Sequence, residues 1–288
     1  VEFEKVCKEH NPSMVVVVGD VNSTVACSMV CAKEWIPCAH VEAGLRSFDR
    51  QMPEEINRLI TDAIANILLT PSPDGDENLR NEGVSEDRII RVGNIMIDSL
   101  FNNLERSKTS MIHSELNLEE GNYGVVTLHR PSNVDEEAAF AGIIQALEEI
   151  GNRIPLVFPL HPRTKNRAEQ FGLYERLCAI PNIVLTGPAG YLDFIALMSE
   201  SKLVLTDSGG LQEETTALGI PCLTLRENTE RPITVTEGTN TIVGNDSKVI
   251  IAAALDVLNN GGKAGRIPEM WDGKTAERIA DIIQQWIK

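Results

Sequence analysis

The sequence predicts an α/β protein with two Rossmann-like domains that face a cleft. Short apolar segments rich in Val, Ile and Leu alternate with amphipathic helical segments along the chain, which is typical of parallel sheets covered on both faces. The alternation is interrupted over residues 107–122, where periodicity weakens and polar and acidic residues accumulate. A chain of 288 residues has room for two ordinary domains. We therefore expect a domain boundary in that interval.

The first domain is predicted over residues 1–110. Its strands are expected at residues 14–18, 37–41, 67–70 and 89–92, and its helices at 23–33, 54–66 and 74–81. The first strand is a β-branched run that ends in Gly19-Asp20. The chain opens in what reads as a helix already under way, so we expect an N-terminal segment to precede it in a longer protein.

The second domain is predicted over residues 120–268. Its strands are expected at 123–128, 156–159, 183–185, 203–206, 221–225 and 240–243, and its helices at 135–151, 165–171, 191–199, 210–218 and 247–259. The segment 270–288 carries a final amphipathic helix at 275–287. We expect this last helix to pack back towards the first domain.

The composition restricts the partners of the protein. The formal net charge of −16 argues against a nucleic-acid partner, because phosphate backbones are bound by basic faces. No apolar run approaches the ~18 residues of a membrane span, and no signal peptide is recognisable. The six cysteines form no Cys-x-x-Cys pair, so we interpret them as reduced core residues of a cytoplasmic protein.

Carboxylates stand at strand ends and at a helix start in the first domain. Asp20 follows the first strand, Glu42 follows the second, and Glu54 opens the next helix with Arg58 one turn later. Ligands of open α/β sheets bind beyond the carboxyl ends of the strands, so these groups are predicted to face the cleft. In the competing interpretations, Asp20 caps a helix, and Glu54 complements a helix dipole or forms a salt bridge with Arg58.

The second domain carries groups suited to an anion. His129 stands at a strand tip before a Pro break, and His161 has a similar setting. A buried strand enters the turn at Ser208, Gly209 and Gly210, where a helix begins and free N–H groups suit a phosphate. One turn into that helix, a carboxylate at Glu214 can accept hydrogen bonds from two ribose hydroxyls. The alternative is that Asp207-Ser208 is a plain helix cap.

Taken together, five segments resemble the non-hydrolysing UDP-N-acetylglucosamine 2-epimerases. They are Gly19-Asp20, residues 40–58, His129-Arg130, residues 206–214 and residues 229–232. The resemblance covers nearly the whole chain in order. It implies the GT-B arrangement of two Rossmann-like domains, and interconversion of UDP-N-acetylglucosamine and UDP-N-acetylmannosamine.

The resemblance also implies roles for individual residues. The family's catalytic positions match Asp20, Glu42, Glu54, Arg58 and His129. The substrate-binding positions match Asp20, Glu42, His129, Phe194, Ser208, Gly209, Gly210, Glu214 and Arg231, with Phe194 beside the uracil. Two departures are visible: the family's opening strand and Gly-Thr-Arg-Pro-Glu loop are not in this chain, and Pro131-Ser132 replaces a common Glu after His129-Arg130.

The family's reaction eliminates UDP to give 2-acetamidoglucal and then adds UDP back on the opposite face. It needs no cofactor and no metal, and this sequence has neither a metal-ligand cluster nor a Gly-x-Gly-x-x-Gly after a strand. The resemblance further implies a UDP-amino-sugar substrate and a homodimer. Three alternatives stay open: a GT-B glycosyltransferase using a UDP-sugar, a hydrolysing 2-epimerase, and an inactive UDP-sugar-binding fragment.

Overall fold

The computed structural model describes residues 2–287, which divide into two compact units. Unit 1 comprises the residues up to Ser99 together with those from Glu269 on, and unit 2 comprises Leu100–Pro268. Helix α5, Ile95–Ser107, runs across the division in sequence. Each unit is built on its own parallel sheet. The predicted α/β class with two Rossmann-like sheets is thereby confirmed.

Unit 1 contains a sheet with the strand order β1-β2-β3-β4. The strands are β1 (Val15–Val18), β2 (Cys38–Val41), β3 (Ile67–Thr70) and β4 (Ile89–Arg91). The helices are α1 (Glu2–His10), α2 (Asn22–Glu34), α3 (Pro53–Ile64), α4 (Pro73–Asn81) and α15 (Thr275–Trp286). Alternate residues of β3 are buried on opposite faces of the sheet. Leu68 lies in one apolar cluster, and Ile67 and Leu69 lie in the other. Ile279 of α15 packs in the second cluster.

Unit 2 contains a sheet with the strand order β10-β9-β8-β5-β6-β7. The strands are β5 (Gly124–Thr127), β6 (Leu156–Pro159), β7 (Ile183–Thr186), β8 (Leu203–Thr206), β9 (Cys222–Thr224) and β10 (Asn240–Ile242). The helices are α6 (Ile112–Leu116), α7 (Pro131–Val134), α8 (Glu137–Gly151), α9 (Pro162–Gln170), α10 (Tyr174–Cys178), α11 (Tyr191–Ser199), α12 (Gly209–Leu218), α13 (Pro232–Thr236) and α14 (Ser247–Asn260).

The strand order of unit 2 reverses between β5 and β8, which is the place where doubly wound sheets bind ligands. The parallel register pairs Thr127 with Thr206, and their hydroxyl oxygens lie 2.7 Å apart. The turns that follow β5 and β8 therefore begin side by side. Those turns carry His129 and Ser208.

The cysteine interpretation needs one correction. Four thiols are buried, at Cys7, Cys31, Cys38 and Cys222, but Cys178 at the end of α10 is exposed. Helix α10 has five residues and buries only Leu177, so its last position faces outwards. All six thiols are free. Within residues 2–287, no helix is both long and apolar enough to cross a membrane.

Candidate active site

Asp20 lies in the turn after β1, and its carboxylate is held by Arg58 of α3. Arg58 donates from Nε and Nη2 to Asp20 Oδ2, over 3.0 and 2.7 Å. The N-cap of α2 is Val21, which makes no side-chain cap bond. The interpretation of Asp20 as a helix cap is therefore wrong. The Arg58 side chain is 3% exposed and that of Asp20 is 26% exposed, so the carboxylate is the part of the pair that a ligand can reach.

Glu42 directly follows β2 and has a φ of +70°. A residue with a Cβ in this conformation carries strain of about 1–3 kcal/mol, which persists only where the surroundings impose it. A Cβ built on Gly19 would lie 3.8 Å from Glu42 Oε2, so the carboxylate lies beside the turn that carries Asp20. Asp20 and Glu42 thus lie next to each other at the carboxyl-terminal edge of the unit 1 sheet, just after the adjacent parallel strands β1 and β2.

Glu54 and Glu55 open α3 after Pro53, and only one of them is engaged by the protein. Glu54 is half-buried and makes no hydrogen bond or ion pair within the part of the chain that is described. The competing salt bridge between Glu54 and Arg58 does not form. Arg58 instead donates from Nη1 to Glu55 Oε2 over 2.8 Å. Glu54 is therefore the carboxylate at this helix start that is free to act on a ligand.

Sequence reasoning missed the role of Glu55. This buried carboxylate accepts hydrogen bonds from the backbone N–H groups of Ser47 and Phe48, each over 2.9 Å, in addition to Arg58. Burial alone would raise the pKa of Glu55, but the hydrogen bonds from Ser47, Arg58 and Phe48 outweigh it and hold the pKa below its usual value. Glu55 thereby ties the loop before α3 to the arginine that holds Asp20.

His129 in unit 2 is oriented by Asp207. The fully buried Asp207 lies 2.9 Å from His129 Nδ1 and accepts from the backbone N–H groups of His129 and Arg130. Burial opposes the charge on Asp207, but His129 and these N–H groups outweigh it and keep its pKa below the usual value. A carboxylate partner makes Nδ1 a donor, so Nε2 is the ring atom available for a ligand. Asp207 therefore serves His129 and is no plain cap.

Helix α12 begins at Gly209, with Ser208 as its N-cap. The Ser208 side chain forms no cap bond in the described chain, so the hydroxyl and the first-turn N–H groups remain available to an anion. Gly209 is required by packing, because a Cβ there would lie 2.5 Å from Glu230 Oε1. Burial opposes the charge on Glu230, but Arg231 and Arg226 outweigh it and lower its pKa to about 2.

Glu214 lies one turn into α12 and is 3% exposed. Burial raises its pKa to about 7, against the smaller lowering effect of a hydrogen bond from the Tyr191 hydroxyl, which donates to Oε1 over 3.1 Å. Tyr191 was not predicted as a site residue. It opens α11, the helix that also carries the half-buried Phe194.

The remaining predicted residues have identifiable neighbours. Arg231 is the N-cap of α13 and is 8% exposed, and its Nε lies 2.7 Å from Glu213 Oε1. His161 caps α9 through Nδ1, and its ring centre lies 5.9 Å from that of His129. Among residues 2–287, no three His, Cys, Asp or Glu side chains are grouped so as to hold a metal ion.

Comparison with known proteins assigns the chain to a family. The pattern that defines the UDP-N-acetylglucosamine 2-epimerase family matches residues 1–284. A UDP-N-acetylglucosamine 2-epimerase of Methanocaldococcus jannaschii is 41% identical over an alignment of 288 positions, which covers 98% of this chain and 78% of that protein. A UDP-2,3-diacetamido-2,3-dideoxy-D-glucuronate 2-epimerase of Pseudomonas aeruginosa is 42% identical over 260 residues, 89% of this chain and 71% of that protein.

A solved structure agrees with the sequence relatives. The crystal structure of Methanocaldococcus jannaschii UDP-GlcNAc 2-epimerase in complex with UDP-GlcNAc and UDP is similar with a TM-score of 0.89 at 41% identity. The alignment covers 99% of this chain and 79% of that one. The chain belongs to the UDP-N-acetylglucosamine 2-epimerase family.

Proposed function

We propose that this protein interconverts UDP-N-acetylglucosamine and UDP-N-acetylmannosamine. The observation that carries the proposal is the pair of carboxylates, the partly exposed Asp20 and the half-buried Glu42, on the turns after two adjacent strands. Inversion at sugar carbon 2 requires a proton to leave one face and a proton to arrive on the other. Asp20, Glu42 and the unengaged Glu54 supply groups for both transfers.

The proposed route begins with removal of the proton at carbon 2 by one of these carboxylates. The electron pair forms the carbon 1–carbon 2 double bond, and the bond from carbon 1 to the diphosphate oxygen breaks, which releases UDP and leaves 2-acetamidoglucal. Re-addition of UDP to carbon 1, with protonation of carbon 2 from the opposite face, gives the epimer. Arg58, which donates two hydrogen bonds to Asp20, holds that carboxylate in one orientation through the cycle.

The nucleotide half of the substrate is assigned to unit 2. The N-terminus of α12 at Ser208, Gly209 and Gly210 offers N–H groups to the diphosphate, and His129 Nε2 offers a hydrogen-bond donor when protonated. Glu214 is assigned to the ribose hydroxyls, and Phe194 to the uracil ring. Arg231, whose Nε is paired with Glu213 of the same helix, is assigned to the nucleotide as well. Together these groups stabilise UDP as it departs and returns.

A second substrate has support from one relative. The Pseudomonas aeruginosa protein, at 42% identity, is a 2-epimerase of a diacetamido glucuronate. The carbon 2 chemistry would be the same for that sugar, whereas its acid group at carbon 6 and its second acetamido group would require further contacts. We assign UDP-N-acetylglucosamine as the first substrate, and measurement of kcat/KM for both sugars under the same conditions decides between them.

Product analysis by proton NMR tests the proposed activity. Incubation with UDP-N-acetylglucosamine alone is expected to give UDP-N-acetylmannosamine until an equilibrium mixture is reached. Release of free N-acetylmannosamine and UDP would instead identify a hydrolysing 2-epimerase. Consumption only in the presence of a sugar acceptor would identify a glycosyltransferase, and binding of UDP without turnover would identify a non-catalytic binding protein.

Replacement of Asp207 by Asn should impair catalysis through His129. Asp207 Oδ2 accepts from the Arg130 N–H and the Asn133 amide, so the amide oxygen of the variant takes that position and its nitrogen faces His129 Nδ1. The nitrogen cannot accept the Nδ1 hydrogen, so the imidazole loses the partner that orients it, and we expect kcat to fall by roughly 10²-fold. Steady-state kinetics measure the loss, with Asp135→Asn as control, because Asp135 pairs with Arg163 at the surface of the same unit. A kcat like that of the control would contradict the role of Asp207.

Binding of UDP should weaken as the pH falls below about 7. The pKa of Glu214 is raised to about 7, so the free protein carries a protonated Glu214 below that value, and the carboxylate needed for two ribose hydroxyls must first lose its proton. One required deprotonation lowers the affinity by up to about tenfold per pH unit. Titration calorimetry at several pH values measures how the affinity for UDP changes with pH. Glu214→Gln removes this dependence while the titration of UDP itself remains, and equal pH profiles of parent and variant would refute the assignment.

We further infer a homodimer and a cytoplasmic location. The six free thiols support a reducing compartment, and UDP-sugars are intracellular metabolites. Light scattering at several concentrations tests the dimer, for which twice the mass of the 31.6 kDa chain is expected.

A further inference from the structure

One histidine of unit 1 has no role in the proposed reaction and yet lies between its two carboxylate turns. His40 is on β2 and is fully buried. Its Nδ1 lies 2.6 Å from Asp62 Oδ1, and its Nε2 lies 2.9 Å from the backbone oxygen of Gly19. The ring therefore joins α3, which carries Asp62, to the turn after β1.

The partners of His40 determine where its hydrogens are. The carbonyl oxygen of Gly19 can only accept, so Nε2 carries a hydrogen. Asp62 accepts from Arg46 and from the backbone N–H of Gly44 as well, which identifies it as a carboxylate, so Nδ1 also carries a hydrogen. Burial opposes the charge on Asp62, but His40 and Arg46 outweigh it and hold the pKa of Asp62 below its usual value. Each ring nitrogen of His40 therefore donates to an oxygen acceptor, Nδ1 to a buried carboxylate and Nε2 to a backbone carbonyl.

Each end of this pair fixes a backbone atom next to a proposed catalytic residue. The Gly19 carbonyl that His40 holds belongs to the peptide bond leading into Asp20. The Gly44 N–H that Asp62 holds, at 3.1 Å, comes two residues after Glu42. The strained φ of +70° at Glu42 requires such external restraint.

We propose that His40 and Asp62 are positioning residues that fix the separation of the Asp20 and Glu42 carboxylates. The inference rests on the proposed function, in which those carboxylates exchange protons with carbon 2. Proton transfer depends steeply on distance, and a misplacement of about 1 Å can cost roughly 10²-fold in rate. A buried ion pair that served stability alone would affect unfolding and leave kcat of the folded protein unchanged.

Two near-isosteric replacements of His40 separate its two bonds. In His40→Asn, the amide nitrogen takes the place of Nδ1 and keeps a donor towards Asp62, while the bond to Gly19 is lost. In His40→Gln, the amide nitrogen takes the place of Nε2 and keeps the bond to Gly19. We expect kcat to fall by roughly 10–100-fold in His40→Asn, with KM changed by less than about threefold, and to recover at least about threefold in His40→Gln.

Asp98→Asn is the matched control. Asp98 is a buried carboxylate of the same unit, and it accepts from the backbone N–H groups of Thr275 and Ala276 at the start of α15. The control is expected to lower the melting temperature and to leave kcat per folded molecule unchanged, whereas Asp62→Asn is expected to lower both. If the loss of kcat in the His40 variants is no larger than the fraction of protein that is unfolded, the proposal is overturned.

A spectroscopic measurement on the unaltered protein is independent of turnover and of variant folding. Nitrogen-15 NMR at neutral pH is expected to show that both ring nitrogens of His40 carry hydrogen, and a ring with one bare nitrogen would overturn the proposal. If the parent protein does not epimerise the UDP-sugar, the proposed function fails. If the parent is active and the His40 variants retain its kcat, only the positioning inference fails.

Discussion

Replacement of Glu42 by Gln should reduce kcat for epimerisation by at least about 10²-fold, because a positioned acid or base contributes roughly 10²–10⁴ in rate. The amide has the size of the carboxylate but cannot exchange a proton with carbon 2. UDP affinity should remain within about threefold of the parent, since the nucleotide is assigned to unit 2. NMR analysis of samples quenched at fixed times measures the rate of epimerisation. Titration calorimetry measures the affinity for UDP.

The control for Glu42→Gln is Glu77→Gln, which changes an exposed glutamate of the same unit. Glu54→Gln should behave like Glu42→Gln, because Glu54 is the unengaged carboxylate at the start of α3. Near-full turnover in either of these two variants would remove that carboxylate from the mechanism. Equal loss of turnover and of UDP affinity would point to misfolding instead of lost proton transfer.

Replacement of Gly44 by Ala should be the most destabilising of the substitutions considered. Gly44 has a φ of +82°, and a Cβ there would lie 2.3 Å from the backbone oxygen of Gly75. Backbone strain and the steric conflict add, so we expect the free energy of unfolding to fall by about 3–6 kcal/mol. Epimerase activity should fall as well, because Glu42 lies two residues away. Chemical denaturation measures the change.

Gly83→Ala is a matched control for the conflict at Gly44. Gly83 has nearly the same φ, +84°, but nothing lies within 4 Å of the added Cβ. Its substitution should therefore report the backbone strain alone, about 1–2 kcal/mol. If Gly44→Ala is no more destabilising than Gly83→Ala, the close approach of the Gly44 and Gly75 backbones is not as described.

The parallel sheets were predictable because their strands are short apolar runs bounded by turns and amphipathic helices. The positions of Asp20 and Glu42 just after strand ends were predictable as well, and their acid or base roles stay a prediction. Periodicity could not predict which partner each charged group takes. From the sequence, Arg58 could pair with either Glu54 or Glu55. In the structure it pairs with Glu55, which the loop at Ser47 also holds by a hydrogen bond.

Long-range partners were harder to predict for the same reason. Asp207 precedes a helix and therefore has the sequence features of a cap, yet the strand order places it beside His129, 78 residues away. His40 lies within an apolar strand and reads as a core residue. Its partner Asp62 is 22 residues away, on a helix that buries polar residues and exposes Ile56 and Ile60. Both pairings depend on which strands are neighbours, and a single sequence does not determine that.

The most direct test of the proposed chemistry is deuterium incorporation at sugar carbon 2. We expect that UDP-N-acetylmannosamine formed from UDP-N-acetylglucosamine in deuterated water carries deuterium at carbon 2, because the arriving proton comes from a carboxylate that exchanges with solvent. Glu42→Gln should lose this incorporation along with turnover. Product that forms at the parent rate with its original hydrogen at carbon 2 would contradict proton transfer by these carboxylates.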